Sequence, residues 1–335
     1  MLSFSPTALA QPKSLFYMTR RYESVHSFLE HCNKIAILVP TWYTVDKDGM
    51  LWGGPDPLVM KTAKEHRVDV MPIVTGYQFT PEIFHQFVTS PTPHQPFIQS
   101  LVRECKLNGY SGIQFDFEHI NWFDKDALSN LVTETAAALH QNGFKLAIAT
   151  VPNAPGYPGQ TGFDYWIFKE WQGAYDLESL AKSTDMICLM TYDQHTSYTA
   201  PGPVAGYSWT IENLAYALQY VPKNKLMLGI PLYGYHWFAT IPDKEFHGAT
   251  ARSVGTPEAL QLAKAYNAVV QWDSTDHTSW FYFYRDNMRE WVFITDVRTF
   301  QDRLQIIKER GVEGFCSWVL GDEDPEIWNL LPERK

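Results

Sequence analysis

Eight short apolar runs, most of them followed by a segment of helical period, constrain the fold of this chain more than any other feature. They are residues 14–19, 34–40, 68–76, 110–118, 145–152, 186–193, 225–234 and 311–318. Near-continuous apolar runs of this length read as strands buried on both faces, and helix-period segments between them require parallel crossovers. Eight such units predict an α/β fold, a closed (β/α)8 TIM barrel with an outer ring of helices. The clearest helix carries Leu128, Leu131, Val132 and Leu139 on one stripe, with Asp124 or Asp126 as N-cap and Gly143 as the stop. Between the seventh and eighth runs, residues 237–292 turn polar and aromatic and include the strand-like Trp280–Tyr284. They predict a small α+β insertion between strand 7 and strand 8, on the barrel mouth. The domain reading is therefore a tail or signal remnant at 1–13 and one barrel domain over 14–335, the insertion included.

Within the fourth run, Tyr110–Glu118, a strand's period of two sends Ile113, Phe115 and Phe117 to one side and Gln114, Asp116 and Glu118 to the other. Two carboxylates and an amide on an inward face, with no Lys or Arg beside them, carry a desolvation cost of roughly 1–3 kcal/mol per unsatisfied group. Such a cost points to function; the competing reading is an edge strand with its polar face in water. A barrel of this kind places its active site at the C-terminal ends of the strands. The polar and aromatic residues at those ends are Tyr17, Trp42, Gln114, Asp116, Glu118, Tyr192, Asp193, Tyr233 and Trp318. Carboxylates ringed by aromatics suit hydrolysis of a sugar polymer, in which rings stack and a carboxylic acid of raised pKa protonates the leaving oxygen. For Tyr17, Trp42 and Tyr233 the alternative is simple packing.

Composition narrows the partners. Lys and Arg number 27 against 37 Asp and Glu, a net charge of −10 without basic runs. That balance argues against nucleic acid or an anionic membrane surface. There is no run of 18 apolar residues, so no membrane span is predicted. Cys32, Cys105, Cys188 and Cys316 lie far apart and form no Cys/His cluster of metal-ligand spacing, so they read as buried free thiols and no metal is expected.

Four segments resemble glycoside hydrolase family 18, the chitinase-like family. Ser111–Glu118 aligns with its strand-four motif D-x-x-D-x-D-x-E and keeps the last Asp and the Glu; Met190–Asp193 is similar to its M-x-Y-D, Gly229–Gly234 to its G-x-P-x-Y-G, and Gly314–Trp318 to its strand-eight Trp segment. The resemblance covers roughly residues 14–330. Gln114, where an Asp is usual, is most similar to the bacterial spore-cortex and peptidoglycan N-acetylglucosaminidase branch.

The resemblance implies a retaining, substrate-assisted hydrolysis of 2-acetamido glycans, peptidoglycan or chitin-like. Catalytic residues would be Glu118 as general acid, Asp116 orienting the acetamido N–H and Tyr192 bonding its carbonyl. Gln114, Asp193, Trp318, Met190, Tyr233, Trp42 and Tyr17 would bind substrate. No cofactor is required, and a monomer that is secreted or in the cell envelope is expected. Gln114 should leave Asp116 without a carboxylate partner behind it, and Tyr235, where an Arg is common, should lose a polar contact to the sugar. A catalytically silent, lectin-like member of the same fold is the alternative.

Overall fold

The computed structural model describes residues 12–239 and 249–334. The expected tail, up to residue 11, lies outside the described residues, as does the part of the insertion at 240–248. The first barrel strand is Lys13–Met18; the second comes in two pieces, Ile37–Pro40 and Tyr43–Val45, and the third likewise, Asp69–Val70 and Ile73–Gly76. The fourth to eighth are Gly112–Phe115, Lys145–Thr150, Met186–Leu189, Leu226–Pro231 and Gly314–Trp318. Each pairs in parallel with its neighbours, and strand one pairs with both strand two and strand eight. The first piece of strand two pairs with the first piece of strand three, and the second with the second. Strand three then pairs with strand four through Ile73 and Gln114, so the ring closes. Pro40 and Pro72 stand at the two breaks, where a missing N–H cannot join the ladder. A short antiparallel strand, Leu51–Gly53, extends the mouth beside strand two.

The helices lie outside. Lys125–Gln141 buries Leu128, Leu131, Val132 and Leu139 on the stripe read from the sequence. Its cap differs from the expectation: the Asp124 side chain makes no capping bond and its Oδ1 instead accepts from His85 Nδ1 at 2.6 Å. A carboxylate drawn to an imidazole on the neighbouring helix is lost to the backbone. All four cysteines are buried and free. No described helix is long and apolar enough to cross a membrane.

The antiparallel unit before strand eight begins at Tyr233 rather than at residue 237. Its strands are Tyr233–Ala239, Ala249–Gly255, Gln271–Asp273, Thr278–Arg285 and Met288–Ile294, with the helix Thr256–Ala265 against them. Val254, Ala259, Ala263, Phe281, Phe283, Val292 and Ile294 form its own core. The expected seventh strand ran on to Gly234 because apolar residues continue through the corner at Leu232 without a polar break to mark it.

Glycine is required at the start of strand four. A Cβ on Gly112 would stand 2.2 Å from the Lys145 carbonyl oxygen, inside the ladder between strands four and five. Gly112→Ala is expected to lower stability by about 1–3 kcal/mol in urea unfolding. Gly54→Ala, with no atom near the added carbon, should stay within about 0.5 kcal/mol of wild type.

Candidate active site

Strand four proper ends at Phe115, so Asp116, Phe117 and Glu118 lie on its C-terminal extension. The alternation nevertheless persists. Phe117 is buried among Phe79, Phe84, Phe87 and Phe115 in the layer outside the barrel. That aromatic packing, together with the Tyr175 hydroxyl donating to the Phe117 carbonyl at 2.7 Å, fixes the segment between the two carboxylates. Gln114 points the other way, fully buried in the barrel, with its Nε2 donating to the Tyr17 hydroxyl and its Oε1 accepting from Cys188 Sγ at 3.8 Å.

Burial is the main electrostatic fact here. It pushes the Asp116 carboxyl up to about 8, with the Glu118 charge adding to the effect, and the Asp116 Oδ1 atom is buried without a hydrogen-bond partner. Glu118 is also raised, chiefly by burial and further by Asp193, against the opposing effects of the Trp171 hydrogen bond and His119. No Lys or Arg is among the groups acting on either carboxyl. Behind Asp116 the neutral Gln114 supplies no carboxylate, and the electrostatic partner of Asp116 is Glu118 in front of it.

Tyr192 and Asp193 arrive from the end of strand six. Tyr192 is buried, its hydroxyl held protonated by burial and by the nearby Cys316, Asp116, Glu118 and Asp193. Asp193 sits at φ 62°, a left-handed conformation that an Asp tolerates better than most residues. Its Oδ1 accepts from the Tyr233 hydroxyl at 2.5 Å and lies 3.4 Å from the Tyr235 hydroxyl. The polar group at position 235 is therefore turned to Asp193. Trp318 comes from strand eight with its ring tilted against Tyr17, centroids 5.4 Å apart.

Two residues expected to bind substrate are enclosed by packing. Trp42 is 3% exposed and its ring neighbours Tyr110. Tyr17 is 1% exposed and stands behind Gln114 and Trp318. Tyr17 lies within the first apolar run and Trp42 two residues beyond the second, where an aromatic ring adds to the packed layer. Met190 is buried at the end of strand six. Gln114, Asp116, Glu118, Tyr192, Asp193, Tyr233 and Trp318 remain as a group drawn from strands four, six and eight and from the first strand of the insertion. Among the described residues no cluster of His, Cys, Asp and Glu could hold a metal ion.

The profile of the glycosyl hydrolases family 18 matches residues 34–324. The chain belongs to that family. It is 27% identical over 296 residues to a cortical fragment-lytic enzyme of Bacillus subtilis, covering 87% of this chain and 66% of that protein; the chain therefore spans just under two thirds of that relative's length. Among solved structures it superposes on the Bacillus megaterium spore cortex-lytic enzyme SleL with a TM-score of 0.85 at 22% identity, covering 100% of this chain and 78% of that one. A chitinase from Chromobacterium violaceum gives a TM-score of 0.83 at 22% identity, covering 95% and 97%. These two likenesses bear on the fold, which is that of a (β/α)8 barrel.

Sequence reasoning missed the residues that reach this family 18 site from outside the four motifs. Trp171 donates its Nε1–H to Glu118 Oε2 at 3.1 Å from the loop after strand five. Nothing in the sequence spacing says where its N–H ends. Tyr175 carried no signal beyond its residue type.

The raised Asp116 has a thermodynamic consequence. Its folded carboxyl binds a proton more tightly than the unfolded one, so folding stability falls as pH rises from about 4 toward about 8. Asp116→Asn removes that term. Its melting temperature should exceed that of wild type by a margin that grows between pH 5 and pH 9 in calorimetry; a margin independent of pH would contradict the burial of an ionisable Asp116.

Proposed function

We propose that this chain is a glycosidase that cleaves β-linked N-acetylglucosamine-containing glycans with retention, using the substrate's own acetamido group as the nucleophile. The observation that carries the reading is the buried, unpartnered Asp116 Oδ1 behind a protonatable Glu118. A buried polar atom without a partner requires a reason, and a bound ligand group is one. An acetamido N–H donating to Asp116 would satisfy it. Tyr192, whose hydroxyl stays protonated, would donate to the acetamido carbonyl and hold its oxygen against the anomeric carbon. Trp318 would carry the apolar face of the ring, and Asp193, set by Tyr233, would line the same pocket.

In the reaction, Glu118 gives its proton to the glycosidic oxygen as the bond to the anomeric carbon breaks, and the acetamido carbonyl closes onto that carbon to form an oxazolinium ion. The ionised Glu118 then takes a proton from the water that opens this ring, which returns the acid to its starting state. Burial serves both carboxyls: it keeps Glu118 protonated at higher pH, and it strengthens any hydrogen bond made to the acetamido group.

The relatives favour a cell-wall substrate. A cortical fragment-lytic enzyme is among them, and a glycan of the bacterial envelope, met outside the cytoplasm, is the substrate we assign. Glu118→Gln should lower kcat on chitooligosaccharides or peptidoglycan by ~10²–10⁴-fold, the usual worth of general acid catalysis. Mass spectrometry of the products from purified peptidoglycan and from chitin identifies the preferred polymer. A wild-type chain that binds 2-acetamido glycans and turns none over would leave the lectin-like alternative.

A further inference from the structure

The loop after strand five supplies Glu118 with a partner whose chemistry is one-sided. An indole N–H can donate a hydrogen bond and cannot accept one. The Trp171 N–H is directed at Glu118 Oε2 at 3.1 Å, while Glu118 Oε1 makes no hydrogen bond among the described residues. A proton on Oε2 would confront that N–H, so the acid proton belongs on Oε1.

Several contacts hold the donor in place. Trp171 lies within a π-helical turn, Phe168–Gln172, a backbone irregularity often found at functional sites. Its ring stacks with His119 at 6.1 Å and 15°. The preceding residue, Glu170, accepts from Asn121 Nδ2 with both carboxylate oxygens, at 3.1 and 3.2 Å, tying the turn to the segment that follows Glu118. Phe168 packs edge-on against Trp122 in the same segment.

From this arrangement we infer that Trp171 is a positioning residue for acid catalysis: it commits Oε2 as an acceptor, presents the proton on Oε1, and stabilises the carboxylate as it forms. The inference rests on the reading of Glu118 as the acid. As the proton leaves Oε1, charge develops on the carboxylate and the N–H···O bond becomes charge-assisted, roughly doubling in strength. An interaction that strengthens on the way to the transition state raises kcat rather than binding.

Leaving-group dependence separates this role from simple packing. A 2,4-dinitrophenyl leaving group departs without a proton, whereas the alcohol released within a glycan needs one. Trp171→Phe keeps the ring and removes the donor. Compared with wild type, it should lose roughly 10-fold or more in kcat on chitooligosaccharides, and little on the 2,4-dinitrophenyl glycoside of the same N-acetylglucosamine oligomer, with KM nearly unchanged.

The alkaline limb of its kcat/KM profile should move to higher pH, because the lost bond favoured the ionised Glu118. Asp116, His119, Asp193, Tyr192 and Tyr175 face the same carboxyl or act on it and are unchanged in the variant. Glu170→Ala, which keeps the indole and releases its tether, should show the same dependence on leaving group with a smaller loss. Equal losses on both substrates, a change confined to KM, or an unmoved limb would overturn the inference. Glu118→Gln run in parallel distinguishes the two failures: if it cleaves chitooligosaccharides at the wild-type rate, the acid assignment itself falls and this inference with it; if it is inactive while Trp171→Phe shows no preference for leaving group, the inference alone falls.

Discussion

Asp116 and Glu118 sit at the end of one barrel strand where water is scarce, and a carboxyl group removed from water is driven toward its protonated form. No Lys or Arg is among the groups acting on them, and only the Trp171 hydrogen bond and His119, both at Glu118, oppose that pressure. The fold must therefore carry two acids whose ionisation works against its own stability. The packing shows how they are held: Phe117, between them, is locked in a cluster of phenylalanines, and its carbonyl is taken by the Tyr175 hydroxyl. The apolar side of the strand supplies the anchorage for the polar side.

The barrel interior behind the acids is neutral. Gln114 bonds Tyr17 and Cys188, where a carboxylate would have added a third charge to a crowded site. Asp116 consequently has its electrostatic partner in front, in Glu118, and an oxygen left without a partner. On the far side of the mouth, Asp193 is restrained by tyrosine hydroxyls brought by the first strand of the insertion. The antiparallel unit thus completes the wall of the cluster as well as extending the mouth.

Much of the fold was legible because its driving force repeats. Eight buried parallel strands must be apolar nearly throughout, and the Leu128–Leu139 stripe needs only a helical period. Features that depend on a change of direction inside an unbroken apolar stretch were not legible, such as the corner at Leu232 that transfers Tyr233 from the barrel to the insertion. At the site, the alternation in strand four placed Gln114 opposite Phe115 and Phe117 correctly. The same pattern could not distinguish a displayed aromatic from a buried one, and for Trp42 and Tyr17 it left ligand contact and packing both open; packing encloses the two rings. The Trp171 bond to Glu118 spans 53 residues of chain and depends on a loop whose path no local rule describes.

The proposed action of this buried acidic cluster on the acetamido group of its sugar can be read from two aryl β-glycosides that differ only at carbon 2, one bearing an acetamido group and the other a hydroxyl. Steady-state rates with the purified chain should show turnover of the acetamido sugar and none of its hydroxyl counterpart. Comparable rates on the two would mean that a group of the protein, and not of the substrate, attacks the anomeric carbon, and would contradict the account.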